Sequence, residues 1–305
     1  MLVEVDVLNK PKLDPLTYAE WGTELTYDQW IYREHEMGRT LWSQNHMRCW
    51  QWEDETGEVL SGFETYRMFT RDGGTIYGIA SVVTPPKHRK KGYATRILAA
   101  GIALIESEDP SCRGFHLYSE VGSAIYERLG FVAAESFDYV LIPRFSEKNL
   151  GELKRVSHSE ITNSPWQADS KSMIQVSSDQ LHWHFTRERV YREMIRPWSL
   201  GLEILAGIRD SQGEVVWFVN NRLNYLQILN IKGDLSTKLI SGIRDYAARL
   251  GLDEIKIWST ESISSQTMSS LICHQMITRE RPDTIAMIRG IQPENWIPCS
   301  RSNWV

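Results

Sequence analysis

The chain has no run of about eighteen apolar residues, the length a helix needs to cross a bilayer, so no membrane span is expected. Cysteine is scarce. Cys49, Cys112, Cys273 and Cys299 are scattered and form no Cys-x-x-Cys pair. That makes a zinc site unexpected and points to free thiols in a reducing compartment. Met1 to Asp6 has neither the basic n-region nor the apolar h-region of a secretory leader, so a cytoplasmic location is the expectation. Nor is there an excess of positive charge. Lys and Arg total 34 against 39 Asp and Glu, a formal net charge of -5, which argues against general nucleic-acid binding. No G-x-x-x-x-G-K-[ST] loop is present, and no G-x-G-x-x-G, which excludes the Walker and dinucleotide phosphate motifs. What remains is an ordinary globular composition, 42% hydrophobic and 24% charged. The 305 residues suffice for two domains or one extended one. Tryptophan alone is unusual at twelve residues. Most are read as core or interface side chains, and a substrate-channel role for some stays open.

The first half reads as one α/β unit. Helix is expected around Leu16 to Arg39, with Thr26 and Asp28 near a helix start. Asn45 to Trp52 and Val59 to Thr70 read as strands separated by the turn Asp54-Glu55-Thr56-Gly57. Asp72-Gly73-Gly74 makes a hairpin turn into the strand Thr75 to Thr84, which Pro85-Pro86 stops. Tyr93 to Glu106 carries Ile97, Leu98, Ile102 and Ile105 at helical spacing. Phe115 to Tyr118 is a strand, and Phe137 to Pro143 is expected to be the last strand of this unit. Arg144 to Lys171 reads as a linker, rich in Ser, Asn, Glu and Lys. The second half then shows a helix over Gln180 to Ile195. Strands follow over Leu202 to Arg209, Val215 to Asn221 and Leu226 to Ile231, then a helix over Leu235 to Leu250 and a strand over Glu254 to Ser259. The expected domains are 1–145 and 172–305, joined by 146–171.

The stretch Ser81 to Thr95 holds the most chemistry. A strand runs into a basic turn, Arg89-Lys90-Lys91-Gly92-Tyr93-Ala94, and then into a helix. Successive backbone N–H groups in such a turn converge on one point, and the helix adds its positive N-terminal end. Together they make a cradle for a pyrophosphate, and Gly92 lets the backbone come close to the anion. The bland alternative is a solvated surface turn. The flanking strand and helix favour the cradle. In the second half the equivalent turn is Lys232-Gly233-Asp234. It lacks the basic residues, and Asp234 either repels phosphate or caps the helix.

The R-x-x-G-x-A turn resembles the acyl-coenzyme A loop of the GNAT acetyltransferase superfamily. A second element, Ser119, Gly122, Tyr126 and Gly130-Phe131, resembles that superfamily's N-x-x-A-x-x-x-Y-x-x-x-G-F, with Ser119 in place of Asn and Gly122 in place of Ala. The resemblance implies an α/β fold with a mixed sheet, a GNAT domain followed by a second, degenerate GNAT-like domain. An unrelated α+β domain is the alternative for the second half. The resemblance also implies acetyl-CoA as co-substrate, bound by Val82, Val83, Thr84, Arg89, Lys90, Lys91, Gly92, Tyr93, Ala94 and Thr95, and it puts Tyr126 near the coenzyme A sulfur. No metal is implied.

Shorter stretches are similar to the fungal lysine N6-acetyltransferases of lysine catabolism. They are Glu20-Trp21-Gly22 with Leu25-Thr26, Glu64-Thr65-Tyr66-Arg67, Thr84-Pro85-Pro86, Leu117 to Gly122, and Trp183-His184 with Arg187-Glu188. This implies the side-chain amine of free L-lysine as acceptor. A lysine ammonium must lose a proton before it attacks a thioester. Glu64 is the first candidate for base or ammonium anchor, with Glu120 and His116 as rivals. A Val82 or Val83 N–H is placed for the oxyanion, and Tyr126 for the departing thiolate. Glu120, His184 and Arg187 are candidate acceptor-binding residues, Arg187 and His184 for the α-carboxylate with Arg67 in reserve. Each has a bland counterpart in a structural hydrogen bond, a packed aromatic or a solvated helix face. Other small amines, a protein amine, or acyl-CoA binding without catalysis stay open as alternatives. The expected partner is a small-molecule amine, with no nucleic acid and no membrane. The sequence leaves the oligomeric state undecided.

Overall fold

The computed structural model describes residues 1–134, 137–146, 153–162, 174–259, 263–281 and 284–291. They form two compact units. One takes the described residues up to 134 together with 284–291, and the other takes those from 137 to 281.

The first unit contains β1 (Leu2–Val5), α1 (Asp14–Trp21), α2 (Tyr27–Gly38), α3 (Leu41–His46), β2 (Met47–Glu53), β3 (Val59–Phe69), β4 (Thr75–Val83), α4 (Tyr93–Glu108), β5 (Cys112–Ser119), α5 (Ala124–Glu127) and β6 (Val132–Ala134). The expected helix over Leu16 to Arg39 is in fact two. Thr26 opens α2 with a capping box, its Oγ1 accepting from the Gln29 N–H while the Gln29 side chain accepts from the Thr26 N–H. In α4, Ile97, Leu98, Ile102 and Ile105 form the buried face. Gly101 lets that face settle on Phe63 of β3, because a Cβ there would come within 2.4 Å of the ring. Asp109 ends α4 and accepts from Thr75 and Tyr77 at 2.7 and 2.8 Å, tying the helix end to the start of β4.

The second unit contains β7 (Phe137–Leu141), β8 (Lys154–Val156), α6 (His158–Thr162), α7 (Ser178–Ile195), β9 (Gly207–Arg209), β10 (Gly213–Asn220), β11 (Tyr225–Gly233), α8 (Thr237–Arg249), β12 (Glu254–Trp258), α9 (Ser265–Cys273) and β13 (Ile277–Glu280). β14 (Ile285–Arg289) returns to the first sheet. The strand orders are β1-β2-β3-β4-β5-β14-β6 and β13-β7-β12-β11-β10-β9-β8, seven strands in each. Both sheets are mixed, with parallel steps at β4–β5 and β11–β12. Each parallel step is crossed by a helix, α4 in one unit and α8 in the other. The strand, strand, strand, helix, strand order expected of the second half is present as β9, β10, β11, α8 and β12.

Three expectations are corrected here. Phe137 to Pro143 does not close the first unit. Its strand, β7, lies between β12 and β13 in the second sheet. The place beside β5 goes to β14, whose Ile285 to Arg289 pairs Ser119 to Phe115. The expected boundary at 145 therefore moves, and the described residues 284–291 belong to the first unit. The expected linker 146–171 also contains β8 and α6, which belong to the second unit, while its residues 147–152 and 163–171 lie outside the described residues. Strand was expected over Leu202 to Arg209 and forms only at Gly207–Arg209.

The second core gathers Trp217, Ile228, Leu239, Ile240, Ile243 and Ile257. Beside it Glu188 on α7 is buried, accepting from the Val219 N–H at 3.1 Å. Burial pushes its carboxyl up to about 8, against the easing effect of that N–H and of Arg192. A raised carboxyl pKa favours the fold below the unfolded value, and that contribution is lost as pH rises through the folded value. Glu188→Gln is therefore expected to stabilise the second unit by on the order of 2–3 kcal/mol at pH 8. The gain should vanish below about pH 4, where the acid is neutral in both states. Urea unfolding at the two pH values measures this, and an equal effect at both would refute it.

Candidate active site

The β3–β4 ladder loses register beside Glu64. Gly62 faces Val83, Glu64 faces Ala80, and Ser81 in the bulge takes φ 52°. Pairing of β4 with β5 ends at Ile79–Leu117. Past that point β4 continues to Val83 and β5 to Ser119 without pairing each other. The carboxyl ends of two parallel strands thus part at the step where α4 crosses over, the place where open α/β sheets form a crevice. The expected residues Val82 and Val83 lie on the stretch of β4 that β5 does not pair. The Val83 carbonyl is taken by Ser61 Oγ at 2.9 Å.

The turn that follows is held by its own side chains. Thr84 Oγ1 meets Ser61 Oγ at 3.0 Å. Arg89 donates from Nε to the Thr84 carbonyl at 3.0 Å and pairs with Glu20. It therefore closes the loop over Pro85-Pro86. Lys90 takes φ 62° and Gly92 φ 80°, so two of three consecutive residues are left-handed. Gly92 is the N-cap of α4 and has no side chain to cap with. A Cβ on Gly92 would meet nothing within 4 Å, so the glycine serves its backbone conformation and leaves space open at the helix start. The first bond of the helix is Arg96 N–H to the Gly92 carbonyl at 3.1 Å. The amides of Tyr93, Ala94 and Thr95 have no acceptor among the described residues, and no acidic residue stands in the first turn. Lys90 and Lys91 are exposed beside them. Unpartnered amides, a positive helix end and free cationic charge fit a pyrophosphate.

The second unit shows the contrast. Ser236 caps α8, accepting from Leu239 N–H at 3.0 Å, and its hydroxyl donates to Asp210 at 2.6 Å. Asp234 does not cap α8. It accepts from Ser264, the N-cap of α9. A capped, acidic helix start does not invite an anion.

Glu64 lies buried behind the bulge. Its Oε1 accepts from Lys10 Nζ at 3.0 Å and lies 3.8 Å from Cys49 Sγ, and its Oε2 accepts from Ser81 Oγ at 2.7 Å and Tyr66 OH at 3.0 Å. All four acceptor positions of the carboxylate are engaged, which suits an anchor better than a free base. Lys10 also reaches Glu34 Oε2 at 2.6 Å, and Arg33 pairs with the other oxygen of Glu34. Burial works against both charges, but Glu64 and Glu34 hold Lys10 well above its ordinary value, while Lys10 and Arg33 hold Glu34 well below its own. Asp14 at the start of α1 joins this group. Burial, with Glu34 and Glu64 adding repulsion against the pull of Lys10, pushes its carboxyl up to about 6. Sequence reasoning missed Lys10, Glu34 and Asp14. Nothing local marks them, since Lys10 sits 54 residues from Glu64.

Tyr126 on α5 is buried against Phe131 in an edge-on contact of 6.1 Å. Burial pushes its hydroxyl up to about 12, eased by Ser119 and reinforced by Glu120. Ser119, at the expected Asn position, donates to the Gly122 carbonyl at 2.5 Å and shapes the turn that carries the exposed Glu120. His116 is interior, and burial lowers it to about 3, so it is neutral at ordinary pH. Arg67 faces Asp109 at 3.6 Å.

The two remaining candidates belong to the second unit. His184 is fully buried, edge-on to Trp183 at 5.1 Å and stacked on Phe218 at 5.6 Å. Such burial takes it out of reach of a dissolved carboxylate, which corrects its expected role. Arg187 is half-buried, its guanidinium 5.9 Å from the rings of both Trp183 and Tyr191. Of the cysteines, Cys49, Cys112 and Cys273 are free thiols, and Cys299 lies outside the described residues. Among the described residues no helix is long and apolar enough to cross a membrane.

Residues 13–131 match the model of the acetyltransferase (GNAT) family. This stretch is a GNAT acetyltransferase domain. It holds the bulge, the cradle and Tyr126. A Yarrowia lipolytica protein described as "Lysine acetyltransferase" is 27% identical, over 41% of this chain and 38% of its own length. The chain thus spans well under half of that relative. GNAT-type folds also extend past the matched stretch. A Pyrococcus horikoshii chain described as an acetyltransferase superposes with a TM-score of 0.59 at 10% identity, covering 100% of this chain and 94% of that one. A GCN5-related N-acetyltransferase from Anabaena variabilis gives 0.55 at 14% identity, covering 96% and 73%. Likeness at such identities speaks for the fold of both units.

Proposed function

We infer that the GNAT domain moves the acetyl group of acetyl-CoA to a primary amine, and that the amine is the side chain of free L-lysine. The observation that carries the transfer reading is the uncapped start of α4, with its unpartnered amides at 93–95, next to the parting of β4 from β5. The turn from Arg89 to Thr95 holds the pyrophosphate, Lys90 and Lys91 neutralise it, and Arg89 keeps the loop closed. When bound, acetyl-CoA supplies an activated acyl carbon. The acceptor ammonium, with an unperturbed pKa of about 10.4, gives up its proton to a carboxylate or through water. Asp14, whose carboxyl burial raises to about 6, is the candidate general base. Glu64 serves as an anchor. Val82 or Val83 N–H stabilises the oxyanion, and Tyr126 hydrogen-bonds the departing thiolate. The lysine assignment rests on the short motifs shared with fungal lysine N6-acetyltransferases and on the name of the Yarrowia relative.

A thiol-release assay with acetyl-CoA tests this against free amino acids, polyamines and a lysine peptide. Turnover confined to L-lysine, with N6-acetyllysine as product, supports the full reading. Turnover on another amine retains the transfer and discards lysine, and acetyl-CoA binding without turnover favours a sensor.

A further inference from the structure

We propose that Lys10 is a positioning residue of the acyl-transfer site, acting through Glu64 to hold Ser81 in the backbone conformation that makes the β4 bulge. The inference rests on the acyltransferase reading above and deepens it. Ser81 is a non-glycine residue at φ 52°. Such a conformation persists only where its surroundings hold it. The hold is visible in one side-chain bond, Ser81 Oγ to Glu64 Oε2 at 2.7 Å. From Ser81 onward β4 has no β5 partner, so no second ladder helps to orient the amides of Val82 and Val83.

Glu64 is aimed in turn by the groups around it. Tyr66 OH shares Oε2 with Ser81, and Lys10 Nζ holds Oε1. Lys10 is 4% exposed and sits between two carboxylates, Glu34 and Glu64. Filling a core does not call for an ammonium there, because an apolar side chain avoids the desolvation cost. Holding two buried carboxylates in one place does. With the cation removed, Glu34 and Glu64 face each other beside Asp14 and Cys49, with Arg33 opposing at Glu34, and Glu64 loses the Lys10 contact to its Oε1.

The test uses the full chain and reads kcat, KM for acetyl-CoA and melting temperature. Lys10→Met is expected to lower kcat about thirtyfold while KM for acetyl-CoA moves less than about threefold, since the displaced groups are those that meet the reacting carbonyl and not the pyrophosphate. Glycine adopts a positive φ without strain, so adding Ser81→Gly to Lys10→Met is expected to restore about tenfold in kcat, whereas adding Ser81→Ala restores nothing. A merely structural role for Lys10 predicts a lowered melting temperature and no rescue by glycine. If Lys10→Met does not fold, Ser81→Ala is compared with Ser81→Gly alone. The proposal expects kcat about tenfold lower for alanine, and equal rates overturn it. A wild-type chain that turns over no amine overturns the acyltransferase reading and this proposal with it. An active wild type without glycine rescue overturns the proposal alone.

Discussion

Gly92→Asp is expected to weaken acetyl-CoA binding about a hundredfold, close to 3 kcal/mol, and to leave the fold intact. Gly92 sits at φ 80°, which aspartate tolerates better than most residues, at a cost of about 1 kcal/mol to the fold that free and bound protein share. The new carboxylate also stands at the open start of α4, where a Cβ meets nothing within 4 Å, and so occupies the side on which the amides of Tyr93, Ala94 and Thr95 wait for an anion. It both satisfies those donors and repels the pyrophosphate. Titration calorimetry reads the affinity, and a melting curve reads the fold. Undiminished affinity in a folded variant would remove the turn from the binding site. High salt should narrow the difference, because the groups involved are exposed.

Glu34→Ala is expected to destabilise the first unit by about 3 kcal/mol near neutral pH, since it strips one of two carboxylates from a buried ammonium. The sign of the pH dependence follows from the two shifts. Despite its burial, Glu34 is held down to about 2 by Lys10 and Arg33. A depressed carboxylate contributes stability that is full above its unfolded value, about 4.3, and is lost as pH falls through the folded value. The cost of Glu34→Ala should therefore be largest above pH 5 and shrink as pH drops toward 2. Lys10, raised by Glu64 and Glu34 against its burial, contributes from the other side. Its share persists below the unfolded value of about 10.4 and fades only at more alkaline pH. Urea titrations at pH 7 and pH 3 measure the difference. An effect that grows on acidification would mean that Glu34 is not the anionic partner of Lys10.

The geometry of the basic turn was legible in the chain because its determinants are local. An R-x-x-G-x-A turn between a β-rich run and an amphipathic helix states, within fifteen residues, where a backbone turns left-handed, which helix start lacks a capping side chain and where cationic charge stands. The same local reading separated the second unit, where Lys232-Gly233-Asp234 precedes a helix capped by Ser236. The acceptor half was far less legible. His184 was chosen for its chemistry and lies in the core. Glu64 was chosen for its strand position, and the structure fills its four acceptor sites. Lys10 and Asp14 carried no pattern at all.

The chain by itself determined the strand, basic turn and helix from Thr75 to Glu108 and the strand, strand, strand, helix, strand order of the second half, because φ preferences, hydrophobic period and capping are properties of neighbours. Tertiary structure decided which strand lies beside which. Hydrophobic alternation marks Phe137–Leu141 as a strand but does not name its partner, and pairing across distant segments gave that strand to β12 and β13 and gave β14 to β5. It also decided the charges of the site. Lys10, Glu34 and Glu64 acquire their chemistry only from burial in one place, and burial against a partner 54 residues away is written in no single stretch of sequence.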